Sequence, residues 1–517
     1  MIAGLVFLMF PLFAQREDRE LLLRFQPGTR LPALPPDARA IVPALDIYVM
    51  TYASTELREK ALYSWQNHPA VRAVERNQTV DLRTAPNDEL YAENQDNLAR
   101  AGFEDAWELT PGGRTVEGDE IVVAILDAGF DVNHQDLQGN LWRNTADTPG
   151  DFIDNDNNGY VDDVFGWDMT NDDNGIPSDV HGTSVIGILG AKGNNNQGIS
   201  GTNWDLKMML FSINTVADIV EAYGYILEQR RRYNDSGGSE GAFVVATNAS
   251  FGLREQTCGD YPVWGGMYDE LGQAGVLTAA GTVNADLDVD RRGDMPTDCT
   301  TDYLIGVTNL DVNDRLYAAA GYGRESIDLA APGEGSYSTR PGGTYGAFSR
   351  NSAAAPFVTG AIALLYATPC PGLMNTVRSD PSGAALLVRD ALLSSTTANP
   401  SLEFRTSSGG SLDIAEAQRM LAESCELGER PTFRISAVFP NPATARVVLE
   451  TNAIVFSESA RVDLFDSLGR LVRSQRPDRI SSGPVRLEMD VSGLAAGWYS
   501  VRLQERDRVA LSRIVVR

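Results

Sequence analysis

The chain has 517 residues, a formal net charge of −27 and 43% hydrophobic residues. That length predicts more than one domain, and that apolar content supports a sizeable core rather than disorder. Lysine occurs only at Lys60, Lys192 and Lys207, so the acidic balance leaves no basic patch to release counterions from a phosphate backbone, which argues against nucleic acid as a partner.

Residues 1–14 are apolar throughout and are followed by Gln15-Arg16-Glu17-Asp18. The run is too short to span a bilayer and reads as a signal peptide over 1–15, although no Lys or Arg precedes it. A buried first strand is the alternative. No later stretch is long and apolar enough for a membrane helix. Residues 16–85 have the pattern of a small α+β unit. Strands are expected at 21–25, 47–52 and 71–75, and a helix over 55–67 with Leu57, Ala61, Leu62 and Trp65 at helical spacing.

A continuous apolar run, 121–126, then ends in Asp127 and Gly129. It reads as a buried parallel strand and sets Asp127 at the carboxyl end, where open α/β sheets collect functional groups. The segment 154–163 offers oxygen atoms at Asp154, Asp156, Asn158 and Asp162, with Gly159 for a sharp turn. It matches the first half of a calcium-binding EF-hand loop, but Phe165 stands where the bidentate glutamate would be. A solvated acidic turn is the alternative.

His181-Gly182-Thr183 opens a stretch of small and apolar residues, which predicts a buried helix with the ring at its start facing a cleft. Strands at 210–213, 243–246, 276–279 and 303–307 alternate with helices such as 216–231, the pattern of a parallel sheet covered by helices. Further on, Ser352 reads as a capping serine at the start of an apolar helix, with Pro356 near that start. The positive end of the helix dipole favours developing negative charge there. Asp, His and Ser therefore follow one another, each at the end of a buried element. A serine needs a base to become a nucleophile, and the base needs an acid to hold its tautomer.

Asp127-Ala128-Gly129, His181-Gly182-Thr183 and the Ser352-to-Pro356 run resemble, in order and spacing, the motifs of the subtilases, the subtilisin-like serine proteases. The resemblance covers 86–426. It implies an α/β fold with a subtilisin-like parallel sheet covered by helices on both faces. It also implies a secreted serine endopeptidase with Asp127 as orienting acid, His181 as general base and Ser352 as nucleophile, and no cofactor for catalysis. Two departures stand out. Arg350-Asn351 replaces the usual Gly-Thr, so that Arg350 could crowd the cleft, and Phe357 replaces a histidine. The family's oxyanion asparagine follows Ala-Ala-Gly. Here Ala279-Ala280-Gly281 is followed by Thr282-Val283, so Asn284 is expected as the donor on a longer loop, with Asn248 as its rival. Ser250 and Gly252 resemble the edge on which a substrate backbone adds as a strand.

The same resemblance extends to smaller features. Asp136 and the 193–198 loop look like the family's calcium site. The Val-x-x-Val-Glu ending at 71–75 looks like that of the inhibitory propeptide, which would make 16–85 the chain's own first ligand. A stable accessory domain is the alternative. Four cysteines without a C-x-x-C spacing argue against zinc, and an even count behind an export signal favours disulfides. Sequence alone allows three pairings, of which the resemblance implies Cys258–Cys299 and Cys370–Cys425.

Residues 427–432 read as a linker, and from 433 to 517 the texture is all-β. A hairpin is expected over 462–472, and 487–491 and 499–503 alternate, as in a small sandwich. Phe439-Pro440-Asn441-Pro442, Gly497-Trp498-Tyr499 and the terminal Ile514-Val515-Val516-Arg517 resemble the C-terminal sorting domain of type IX (Por) secretion substrates. That implies outer-membrane secretion machinery as a partner and a secreted or cell-surface location, with a carbohydrate-binding or adhesion sandwich as the alternative. A subtilase-fold surface protein without turnover is the rival function, motivated by Arg350-Asn351 and the displaced asparagine.

Overall fold

The computed structural model describes residues 19–27, 38–77, 85–426, 435–439, 442–451, 460–466, 470–476, 485–505 and 508–517. The expected signal peptide at 1–15, the linker at 427–432 and the hairpin turn at 467–469 lie outside them. The chain divides into two compact units, 1–82 and 83–517.

In the first unit β1 (Glu20–Phe25), β2 (Arg39–Val42), β3 (Ile47–Thr51) and β4 (Val71–Arg76) form a sheet in the order β2-β3-β1-β4, accompanied by α1 (Thr55–Gln66). The alternation of Leu21, Leu23 and Phe25 along β1 turns all three inward, where they pack with Met50 and with Leu62 of α1. Ser54 caps α1 by accepting from Leu57 N. Strand β2 was not expected; it is exposed along its whole length and so carries no apolar alternation to read.

The second unit is built on β5 (Val122–Asp127), β6 (Gly166–Asp168), α2 (Val180–Gly190), β7 (Lys207–Ser212), α3 (Val216–Ser236), β8 (Val244–Ala249), α4 (Pro262–Ala274), β9 (Leu277–Gly281), β10 (Leu304–Asn309) and β11 (Leu329–Ala331). The hairpin β12 (Ser336–Arg340) and β13 (Thr344–Phe348) leads into α5 (Asn351–Ala367). Then follow α6 (Pro371–Ser379), α7 (Pro381–Ser394), β14 (Thr397–Ala398), β15 (Gly410–Ser411) and α8 (Ile414–Glu426). The main sheet runs β14-β15-β11-β10-β9-β8-β5-β7-β6. It is parallel except at β14.

Strand β5 shows why helices cover both faces. Val123 and Ile125 belong to a core shared with α2 and α5, while Val122, Ala124 and Leu126 belong to one shared with α3 and α4. A continuous apolar strand is what a sheet buried on both sides requires. Helix α3 runs five residues past the expected end at 231, because Gly237 at φ 65 stops it, not the end of the apolar stripe. Disulfides join Cys258 to Cys299 and Cys370 to Cys425, the pairing the family resemblance implied. No single helix among the described residues is long and apolar enough to cross a membrane.

The C-terminal strands form a three-stranded sheet of β16 (Ile435–Phe439), β17 (Arg446–Thr451) and β20 (Val485–Asp490), in that order. A four-stranded sheet runs β19 (Leu471–Gln475), β18 (Arg461–Phe465), β21 (Gly497–Glu505) and β22 (Arg508–Val516). Alternating Val447 and Leu449, Val462 and Leu464, and Val501 and Leu503 share one buried core, which is the sandwich expected from their period of two.

Candidate active site

Asp127 is the last residue of β5 and is 5% exposed. His181 is the second residue of α2, whose cap Asp179 accepts from His181 N at 2.6 Å. His181 Nδ1 lies 2.8 and 2.9 Å from the two oxygens of Asp127. The glycine after the histidine permits this approach: a Cβ on Gly182 would stand 2.2 Å from Gly129 O and 3.0 Å from Asp127 Cβ. Burial works against a charged His181, but the hydrogen bond and charge of Asp127, with the charge of Asp179, outweigh it and hold the imidazole above its ordinary pKa.

The hairpin β12–β13 is fastened to α2. Ser184 Oγ donates to Thr339 O, Ser338 Oγ to Ser184 O and Thr339 Oγ1 to Thr183 O, at 2.9, 2.6 and 2.7 Å. The hairpin thereby sets Phe348 edge-on against the His181 ring, with centroids 5.4 Å apart. Four residues later comes Ser352. Every other residue of α5 is buried.

Ser352 is not the cap that the sequence suggested. Arg350 occupies the cap position at φ 76 and ψ −166, and Ser352 is the second residue of the helix. Pro356 is its sixth residue, inside the helix rather than in its first turn. Having no N–H, Pro356 leaves the carbonyl of Ser352 without its helical donor, and Ser250 Oγ donates to that oxygen at 3.1 Å. Ser352 Oγ donates to Ser250 O at 3.5 Å. Among the described residues it makes no hydrogen bond to His181. The link between base and nucleophile is often loose without substrate.

Asn284 lies on an exposed loop beyond β9. Its Oδ1 accepts from Asn351 N and Asn351 Nδ2, both at 3.1 Å, which fixes the amide beside the start of α5. Asp294, which the sequence did not single out, holds the two extra residues of this loop. Its Oδ2 accepts from Thr282 Oγ1 at 2.9 Å and from Val283 N at 2.8 Å. The rival Asn248 is fully buried, donates to Ser250 Oγ and accepts from Thr359 Oγ1. Both ends of its amide are engaged in the core. Ser250, in turn, directs its hydroxyl to the α5 backbone, and Gly252 is exposed. Phe357 is buried against Phe103, away from the site.

Two acidic loops were expected to hold calcium. At the first, Asp136 is fully buried and accepts from Asn195 Nδ2 and Ile199 N at 2.9 and 3.0 Å. Asp88, missed in the sequence, accepts from Asn194 N and Asn195 N beside it. Burial pushes both carboxyls up, and the charge of Asp88 adds to the rise at Asp136. Both buried carboxylates thus accept N–H donors from the same loop. At the second, Asn158 N donates to both Asp154 Oδ1 and Asp156 Oδ1 at 3.1 Å, so those two acids converge. Asp162 is placed differently: it accepts from Gly150 N, Asp151 N and Phe152 N and closes the loop. Among the described residues no group of three or more His, Cys, Asp or Glu is placed to hold a metal.

Residues 118–409 match the model of the subtilase family, and 437–517 match the secretion system C-terminal sorting domain. The chain is 27% identical over 270 residues to Subtilisin-like protease 1 of Plasmodium falciparum, covering 47% of this chain and 37% of that protein. It is 29% identical over 325 residues to Thermophilic serine proteinase of Bacillus sp. strain AK1, covering 61% and 68%. With Thermitase of Thermoactinomyces vulgaris it shares 27% identity over 296 residues, covering 54% and 85%. The matches span 37–48% of the length of the Plasmodium relatives.

Proposed function

Because this chain belongs to the subtilase family of serine proteases, we propose that it is an endopeptidase working through Asp127, His181 and Ser352. The observations that support the reading are the Asp127–His181 pair and the position of Ser352 as the one residue of α5 that is not buried. Ser352 Oγ attacks the scissile carbonyl as His181 Nε2 takes its proton, while Asp127 keeps Nδ1 protonated and steadies the imidazolium. The Asn284 amide and the Ser352 N–H, a first-turn group with no partner inside the helix, receive the oxyanion. His181 then protonates the leaving amine, and water releases the acyl group from Ser352. Substrate backbone adds along Ser250–Gly252.

The C-terminal module directs the protein to the cell surface or beyond by type IX secretion; the outer-membrane machinery is its partner in this reading. The first unit acts as an inhibitory propeptide, removed near residues 83–88. Calcium, held by Asp136 and Asp88 and on the second loop by Asp154, Asp156 and Asn158, would supply charge to buried carboxylates and so hold those loops.

The test uses a fluorophosphonate probe and intact mass. Wild type should label and shed its N-terminal unit on refolding, whereas Ser352→Ala should stay folded by circular dichroism, remain unlabelled and keep that unit. Maturation of the alanine variant at the wild-type rate, with no other protease present, would remove Ser352 from the mechanism.

A further inference from the structure

We infer that Arg350 makes the leaving-group half of the cleft selective for substrates with a carboxylate just beyond the scissile bond. The inference rests on the endopeptidase reading and deepens it. Arg350 holds φ 76 and ψ −166, a region that glycine enters freely and a side chain enters only under strain. The strain is fixed from several sides. Arg350 N donates to Glu334 Oε1 at 3.0 Å, an oxygen that also accepts from Asn309 Nδ2. Arg350 O accepts from Ala353 N and Ala354 N. The fold thus tolerates arginine where the backbone calls for glycine, two residues before Ser352.

The side chain is exposed, and among the described residues its guanidinium has no ion pair and no hydrogen bond. That contrasts with Arg378, Arg389 and Arg419, each paired with a carboxylate. Its side of the cleft follows from the chemistry. His181 must hand its proton to the leaving amine, so the segment against the His181 ring borders the leaving group. Phe348 stands edge-on against that ring, and Arg350 follows it by two residues. The Ser250–Gly252 edge takes the acyl half. Arg350 Cα lies no more than about 7.6 Å from Ser352 Cα across two peptide bonds, and an extended substrate advances roughly 3.3 Å per residue. A flexible guanidinium there meets the first two or three residues after the cut, where it would pair with an aspartate or glutamate side chain. The whole-chain field opposes this choice, since a net charge of −27 repels acidic segments. A preference for acid must therefore be local.

The experiment compares amidated, internally quenched peptides that differ only as Glu or Gln at each of the first three positions after the cut. A Gln peptide ending in a free carboxyl at the third position separates a side-chain carboxylate from a terminal one. Wild type should favour Glu at one position by about fivefold in kcat/KM at low salt, the size of an exposed ion pair, and lose the preference at 1 M salt. Arg350→Gly should bring the ratio to one or below, and Arg350→Glu should prefer Lys over Gln at the same position. A wild-type ratio of one or less at all three positions overturns the inference, as does a ratio that survives Arg350→Gly. A rise in rate for every peptide alike in Arg350→Gly overturns it too, since that is crowding rather than selection. Fluorophosphonate labelling separates the two failures: labelled enzyme without a ratio sinks only the role of Arg350, whereas wild type that neither labels nor cleaves sinks both.

Discussion

A histidine that must act as a base is useful only while neutral, and His181 is held above its ordinary pKa of 6.5 by Asp127. The sign follows directly. As pH falls, His181 gains its proton earlier than a free imidazole would, so kcat/KM should decline with a midpoint above 6.5. Asp127→Asn removes that charge and leaves only the charge of Asp179 to oppose burial, which moves the midpoint down. It also loses the acceptor that fixes the tautomer, and kcat should fall by about 10⁴. The pH profiles of the two proteins check both effects. An unshifted acid limb in the variant would assign it to another group.

At the scale of elements, the site is assembled by loops that the sheet holds at its carboxyl edge. The loop between β9 and Asn284 is two residues longer than the family pattern, and the buried Asp294 takes up the extra length. The 193–198 loop closes over Asp136 and Asp88, whose carboxylates are buried and, among the described residues, have no salt bridge to a cationic side chain. Calcium should therefore raise the melting temperature over that in chelator. A cation present at 100 times its Kd adds about 2.7 kcal/mol, or roughly 4 °C for a domain of this size. Asp136→Asn should shrink the difference. Equal melting temperatures with calcium and with chelator would exclude a cation that stabilises this fold.

For the molecule as a whole, the subtilase match ends at 409 and the sorting-domain match begins at 437, and the C-terminal sheets have their own apolar core. Deleting the chain from Pro431 onward should leave peptide hydrolysis intact and keep the protein inside the cell. Activity assayed on purified protein and immunoblots of medium and cells measure the two separately. Normal release of the truncated protein would take the export role away from the C-terminal strands.

The sequence by itself determined the class of the fold and singled out Asp127, His181 and Ser352. Both depend on local signals. The apolar run of β5 can only be a strand buried on both faces, and Asp127, His181 and Ser352 each close or open such a buried element. It also showed that Arg350 and the asparagine loop depart from the family. It could not say what those departures do, because distance in the chain hides their partners. Glu334 fastens Arg350 from 16 residues away, Asp294 braces a loop 11 and 12 residues upstream, and Asp88 meets Asn194 across 106. Whether Ser352 caps its helix was likewise decided by packing. The chain enters α5 through Arg350 in a glycine-like conformation, and Pro356 gives the Ser352 carbonyl to Ser250. Helix periodicity is written along the chain, but a hydrogen bond between residues a hundred positions apart exists only once the sheet has brought their strands side by side.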